Sequence, residues 1–177
     1  MRKFPVAAVI ALSLLPGLAR AAEPPCLTPA EFTSLASYVL PNIITGTSQR
    51  CAAVLPGDAW LTRNGADLAS RYASTKAKSW PGAKAAFLKM GGPMGDPQTT
   101  DLIRNLPDTT LQPMIDGLVE GVVSQKLPAD RCPTIERMVR LLSPLPAENT
   151  AELIALAVGL GSQAGLARVG KFSICAA

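Results

Sequence analysis

The chain contains no histidine. That absence removes Ser-His-Asp and Cys-His catalysis, histidine-ligated zinc and histidine-based pH switching. No CxxC pair occurs among its four cysteines, so metal-cluster spacing is missing as well. Alternating β-branched runs are absent, and so are internal repeats and low-complexity segments. No run approaches the roughly 20 apolar residues needed to cross a bilayer. The stretch GGPMGDP (residues 91–97) lacks the Gly-Lys-Ser/Thr ending of a phosphate-gripping loop and reads as a surface loop. An enzyme built on this chain is confined to carboxylate, lysine, tyrosine or lone-cysteine chemistry.

What is present begins with a basic head, MRKF, followed by the apolar run Val6–Leu15. Pro16 and Gly17 break the run, and small residues stand at Ala19 and Ala21. This is the pattern of a secretory signal cleaved after Ala21, leaving residues 22–177 as one domain. Arg2, Lys3 and Arg20 depart with the signal. Three of the 17 basic residues are thereby lost, and the remaining 14 face 13 acids, a net charge of about +1. The pI near 9.0 therefore belongs largely to the targeting segment and does not point to nucleic acid. A periplasmic or extracellular location is expected, with no transmembrane segment in the mature chain.

The rest reads as helices punctuated by proline and glycine. Thr28, Pro29 and Glu31 form a capping-box pattern. Phe32, Leu35, Ala36 and Val39 follow at helical spacing, and Pro41 is expected to kink or interrupt that helix. A second helix is expected from about Asp58, with Arg63, Asp67 and Arg71 at ion-pair spacing. It continues or restarts around Pro81, and a short helix follows Asp96. Thr110 is the expected cap of the next helix, with Met114, Ile115, Leu118, Val119 and Val122 as its buried stripe. Ile135, Met138, Val139 and Leu142 form another such stripe, beside a Glu136–Arg140 pair. The last helix, capped at Asn149, is apolar nearly all round and is expected to be central. Gly117, Gly121, Ala155 and Gly159 are expected to let neighbours approach closely. The fold class is all-α, a single compact bundle of about six or seven short to medium helices stapled by two disulfides.

Cys26, Cys51, Cys132 and Cys175 form an even set in an exported chain, which favours two disulfides. Glu23 and two prolines before Cys26 argue against lipidation, and a reactive thiol at Cys132 is the weaker alternative. A straight helix from Thr28 toward Gly46 is roughly 27 Å long. Disulfide Cα atoms lie within about 7 Å, which disfavours pairing Cys26 with Cys51. Of the two remaining connectivities, Cys26–Cys175 with Cys51–Cys132 is preferred because chain ends often lie close together.

Two constellations carry candidate chemistry. Asp116 and Glu120 share a helix face, a spacing compatible with acid–base work but more typical of a solvated face. Residues 63–90 hold six basic side chains against one acid, with aromatics interleaved. Trp60, Arg63, Arg71, Tyr72, Trp80, Lys84 and Lys89 make up the candidate binding surface, suited to an anionic envelope component or an acidic protein. The competing reading places the rings in the core and the lysines in solvent. No cofactor or metal is implied. The leading expectation is a non-enzymatic exported binding or interaction module. The alternative is a helical carrier of a lipid or other apolar ligand, and carboxylate catalysis at Asp116 and Glu120 comes third.

The exported protein is expected to begin at Ala22 and to carry no lipid on Cys26. Intact mass of the purified chain checks both, and a diacylglyceryl increment at Cys26 would refute the assignment.

Overall fold

The capping box forms as the sequence predicts. In the computed structural model, the Thr28 hydroxyl accepts the Glu31 N–H at 3.2 Å and the Glu31 carboxylate accepts the Thr28 N–H at 2.8 Å. The Thr28 N–H and the Lys89 ammonium hold the Glu31 carboxyl below its ordinary range. The structure describes residues 26–91, 97–163 and 174–175. The expected signal segment and most of GGPMGDP lie outside the described residues.

From this cap α1 runs Pro29–Cys51 without a break through Pro41. The expected interruption is absent. Pro41 forfeits one backbone hydrogen bond, and packing on most sides of α1 outweighs that loss. The other helices are α2 (Trp60–Ala73), α3 (Lys76–Lys89), α4 (Pro97–Arg104), α5 (Asp108–Lys126), α6 (Cys132–Leu142) and α7 (Ala147–Gln163), with a 3-10 turn at Ala129–Arg131. α3 continues through Pro81 and ends at Gly91, whose φ of 79° suits a residue without a side chain. The starts of α2 and α7 fall two residues from the expected caps. α5 opens at Asp108 rather than after Thr110, which puts Pro113 inside it. No strand is present among the described residues, only an isolated bridge between Leu27 and Ile174.

α1 is the axis of the bundle, and α2, α3, α5 and α7 all pack on it. α2 and α3 together run antiparallel along it. Gly65 lies against Ser48, Lys76 meets Asn42, Gly82 lies against Ser34, and Lys89 meets Glu31. α5 runs parallel to it, with Glu120 and Val123 against Gly46 and the Leu127 carbonyl accepting from Arg50 Nε at 2.9 Å. One apolar cluster joins α1 to α2 and α7 through Leu40, Ile44, Leu68, Tyr72 and Ala151. A second joins α1 to α3 and α5 through Tyr38, Trp80, Phe87, Leu111 and Ile115. The last helix is thus not the central one. α7 buries Ala147, Ala151 and Ala155 but exposes Leu153, Leu156 and Leu160.

The disulfides pair as preferred from the sequence. Cys26–Cys175 and Cys51–Cys132 have Cα separations of 5.0 and 5.5 Å. One ties the entry to α1 to the chain's last described residues, and the other ties its far end to the start of α6. Each closes a long loop and contributes about 4–5 kcal/mol in the loop-entropy account.

The close approach of helices falls on unexpected glycines. A Cβ added at Gly46 would lie 2.7 Å from the Glu120 carbonyl oxygen, whereas one at Gly117 or Gly121 meets nothing within 4 Å. Gly46→Ala is therefore expected to lose about 1–3 kcal/mol as α1 and α5 are forced apart. Gly117→Ala and Gly121→Ala are expected to gain up to about 1 kcal/mol each from helix propensity. Urea unfolding midpoints test the contrast, and equal effects at the three sites would contradict this packing.

Candidate functional site

The candidate binding residues do not assemble into one aromatic platform. Trp60 is half-buried, and its backbone N–H donates to Glu136 Oε1 at 3.1 Å. Tyr72 is only 3% exposed, and its hydroxyl lies 3.0 Å from the Leu145 carbonyl and 2.9 Å from Thr150 Oγ1. Trp80 is 6% exposed and packs on Tyr38 with ring centroids 5.0 Å apart. The basic side chains hold partners within the fold. Arg63 donates twice to the Asp58 carbonyl and Arg71 to the Ser143 carbonyl. Lys84 pairs with Asp108 at 2.6 Å and Lys89 with Glu31 at 2.9 Å. Hydrogen bonding to Lys84 holds the Asp108 carboxyl below its ordinary range. The ion-pair spacing along α2 and in α6 is used differently from the expectation. Arg63 and Arg71 bond to backbone carbonyls, and Glu136 bonds to Trp60 rather than Arg140.

Asp116 and Glu120 are also engaged. Asp116 Oδ2 meets Lys76 Nζ at 2.6 Å, and Glu120 accepts from the Gln49 side-chain amide. Lys76 also donates to Asn42 Oδ1 at 3.1 Å and lies 4.5 Å from the centre of the Tyr38 ring. Burial, and then the Asp116 charge, push the Tyr38 phenol well above its ordinary value. Tyr38 therefore stays protonated throughout the physiological range. This cluster pins α1, α3 and α5 together. Among the described residues no group of three or more cysteines and carboxylates is placed to hold a metal, and all four cysteines are in disulfides.

The largest departure from expectation lies on α5 and α6. Leu118, Val122 and Met138, expected to be buried, are 40%, 50% and 50% exposed, and Met114 is also exposed. α5 buries Leu111 and Ile115 instead. Leu118, Val122 and Met138 line a feature that periodicity did not disclose. α5, the turn at Ala129–Arg131 and α6 form a helical hairpin whose two arms make no substantial contact with each other. The α1 residues Leu35, Val39, Ile43 and Thr47, spaced four apart, lie along the gap. They form the floor of a trough about 18 Å long at 1.5 Å per residue.

The trough consists of two adjoining depressions that share Ile43. The one toward α6 and α7 has a volume of about 200 Å³, with Met138, Val139 and Ile154 in its wall. The one toward α5 has a volume of about 350 Å³, with Leu118, Val119 and Val122 in its wall and Phe87 and Met90 of the α3 region at one end. No charged side chain lines either depression. The α5–α6 connection is fastened to the end of α1 by Cys51–Cys132 and by the Arg50–Leu127 hydrogen bond. Contiguous exposed apolar surface of this kind is a mark of an interaction site.

Comparison of the chain with family models, curated proteins and solved structures finds no match.

Because Leu118 and Val122 stand at the lips of the trough and not in packed core, Leu118→Gln and Val122→Gln are each expected to change stability by less than about 0.5 kcal/mol. Leu111→Ala, at a fully buried site on the same helix, is expected to lose about 2–5 kcal/mol. Chemical denaturation of the three variants tests the distinction.

Proposed function

We propose that this protein is a non-enzymatic binding module that acts after export and takes its partner along α1, in the trough between α5 and the α6–α7 side. The observation that carries this reading is the apolar trough itself, whose lips Leu118, Val122 and Met138 remain about half exposed. Exposed apolar side chains weaken solubility unless something covers them, and here they converge on one concave feature. Two supporting facts concern chemistry and compartment. The carboxylates that fit acid–base work, Asp116 and Glu120, are bonded to Lys76 and Gln49. Two disulfides suit an oxidising compartment such as the periplasm or the extracellular space. No helix among the described residues is long and apolar enough to cross a membrane.

The strip of Arg63, Arg71, Lys84 and Lys89 is the competing surface, fitted to an anionic or acidic partner. Site-specific photo-crosslinking in exporting cells separates the two. A photoreactive residue at Val122 or Met138 is expected to give adducts that one at Lys78, on the outer side of α3, does not. Those adducts are expected to persist when Arg63, Arg71, Lys84 and Lys89 are reversed in charge. Adducts that vanish on charge reversal would assign binding to the basic strip, and no adduct to protein or lipid at Val122 or Met138 would remove the trough reading.

A further inference from the structure

We infer that the occupant of the α1 trough is a single unbranched hydrocarbon chain, the acyl chain of a fatty acid or lipid. The inference rests on the trough being the binding site and adds the chemical class of what it holds.

Three properties of the lining select that class. The first is size. A helix with its side chains is about 10–12 Å across, so an 18 Å length displaces on the order of 1,500 Å³. The two depressions hold about 200 and 350 Å³. A helix would ride over the lips and leave the floor at Val39 and Ile43 uncovered, whereas a thin chain reaches it. The second is hydrogen bonding. The polar groups at the inner edge of the smaller depression include the Tyr72 and Thr150 hydroxyls, which lie within bonding distance of each other and of the Leu145 and Pro146 carbonyls. An extended peptide laid in the trough would leave backbone N–H and C=O groups without water and without replacement partners. A hydrocarbon has none to satisfy. The third is charge. The lining carries no charged side chain, so nothing in it favours a charged occupant and nothing opposes a neutral one.

Met138 and Met90 flank the trough, and their unbranched thioether side chains adapt to chains of slightly different shape.

The test uses the disulfide-intact protein and cis-parinaric acid, a fluorescent unsaturated fatty acid. The probe is expected to bind at one site per chain. Saturated fatty acids are expected to displace it with affinity rising roughly fourfold per added methylene, the ratio set by the transfer free energy of a buried CH₂. The rise should stop once the trough is filled. Ile43→Trp, at the position shared by both depressions, is expected to weaken probe binding at least tenfold with unchanged circular dichroism. Met138→Trp gives a second blocked variant should Ile43→Trp misfold. Leu102→Gln, on α4 away from the trough, is expected to bind as the parent does. Absence of probe binding, or full binding by a folded Ile43→Trp variant, overturns the inference. If Val122 nevertheless crosslinks a protein partner or a second copy of the chain, the trough remains the binding site and only the acyl-chain assignment falls. If neither occurs, both fall.

Discussion

Burial of α1 on most of its circumference is the condition on which the other elements depend. The run from Phe32 to Gln49 carries no charged residue, and Phe32, Leu40 and Ile44 on it are buried on the flanks that its neighbours cover. α2 and α7 cover one flank through Leu68, Tyr72 and Ala151, and α3 and α5 cover another through Trp80, Phe87 and Ile115. The two apolar clusters share α1 and adjoin through α3, where Ala86 belongs to one and Ala83 and Phe87 to the other. The disulfides act at the two ends of this same helix, fixing where the chain enters it and where α6 begins. Without α1 in place the remaining helices have little to pack on, because their mutual contacts are few.

The trough follows from that arrangement. α1 presents more apolar circumference than its neighbours cover. The α5–α6 hairpin leaves Val39 and Ile43 half-buried between its arms. Ion pairs and hydrogen bonds hold α5 at its distance. Lys76 and Asn42 sit beside Asp116, and Gln49 holds Glu120. These contacts place α5 against α1 on the side away from the gap, so its other apolar arc, Met114, Leu118 and Val122, is left facing outward or into the trough. The residues that resembled a catalytic pair thus set the shape of the apolar site.

Much of the local structure was legible in the sequence. The capping box at Thr28 and Glu31 and the number of helices follow from short-range rules and are realised. The misreadings share one cause. Helical periodicity in α5 marks Met114, Ile115, Leu118, Val119 and Val122 alike as apolar. It does not say which part of so broad an arc meets a neighbour. The same ambiguity made α7 look central, since Ala147, Ala151 and Ala155 lie on its buried face while its leucines do not. One available signal for the true centre was the charge-free length of α1, longer than the uncharged part of α7. Pro41 drew attention away from it, because a proline inside a helix is a local penalty that only surrounding packing offsets.

The aromatic and basic residues between 60 and 90 illustrate the same limit. Their composition suggested a surface, and the structure turns Tyr72 and Trp80 inward while giving Lys84 and Lys89 acidic partners from α5 and α1. By itself the sequence determined that the chain is helical, where the first long helix begins, and which chemistries its composition forbids. These depend on residue type and on neighbours within a few positions. Only the tertiary structure decided which helix is the axis, which glycines separate packed helices, and that an apolar trough runs along α1. Those outcomes are set by pairings between residues distant in the chain, such as Gly46 with Glu120 and Cys51 with Cys132, and no local pattern records them.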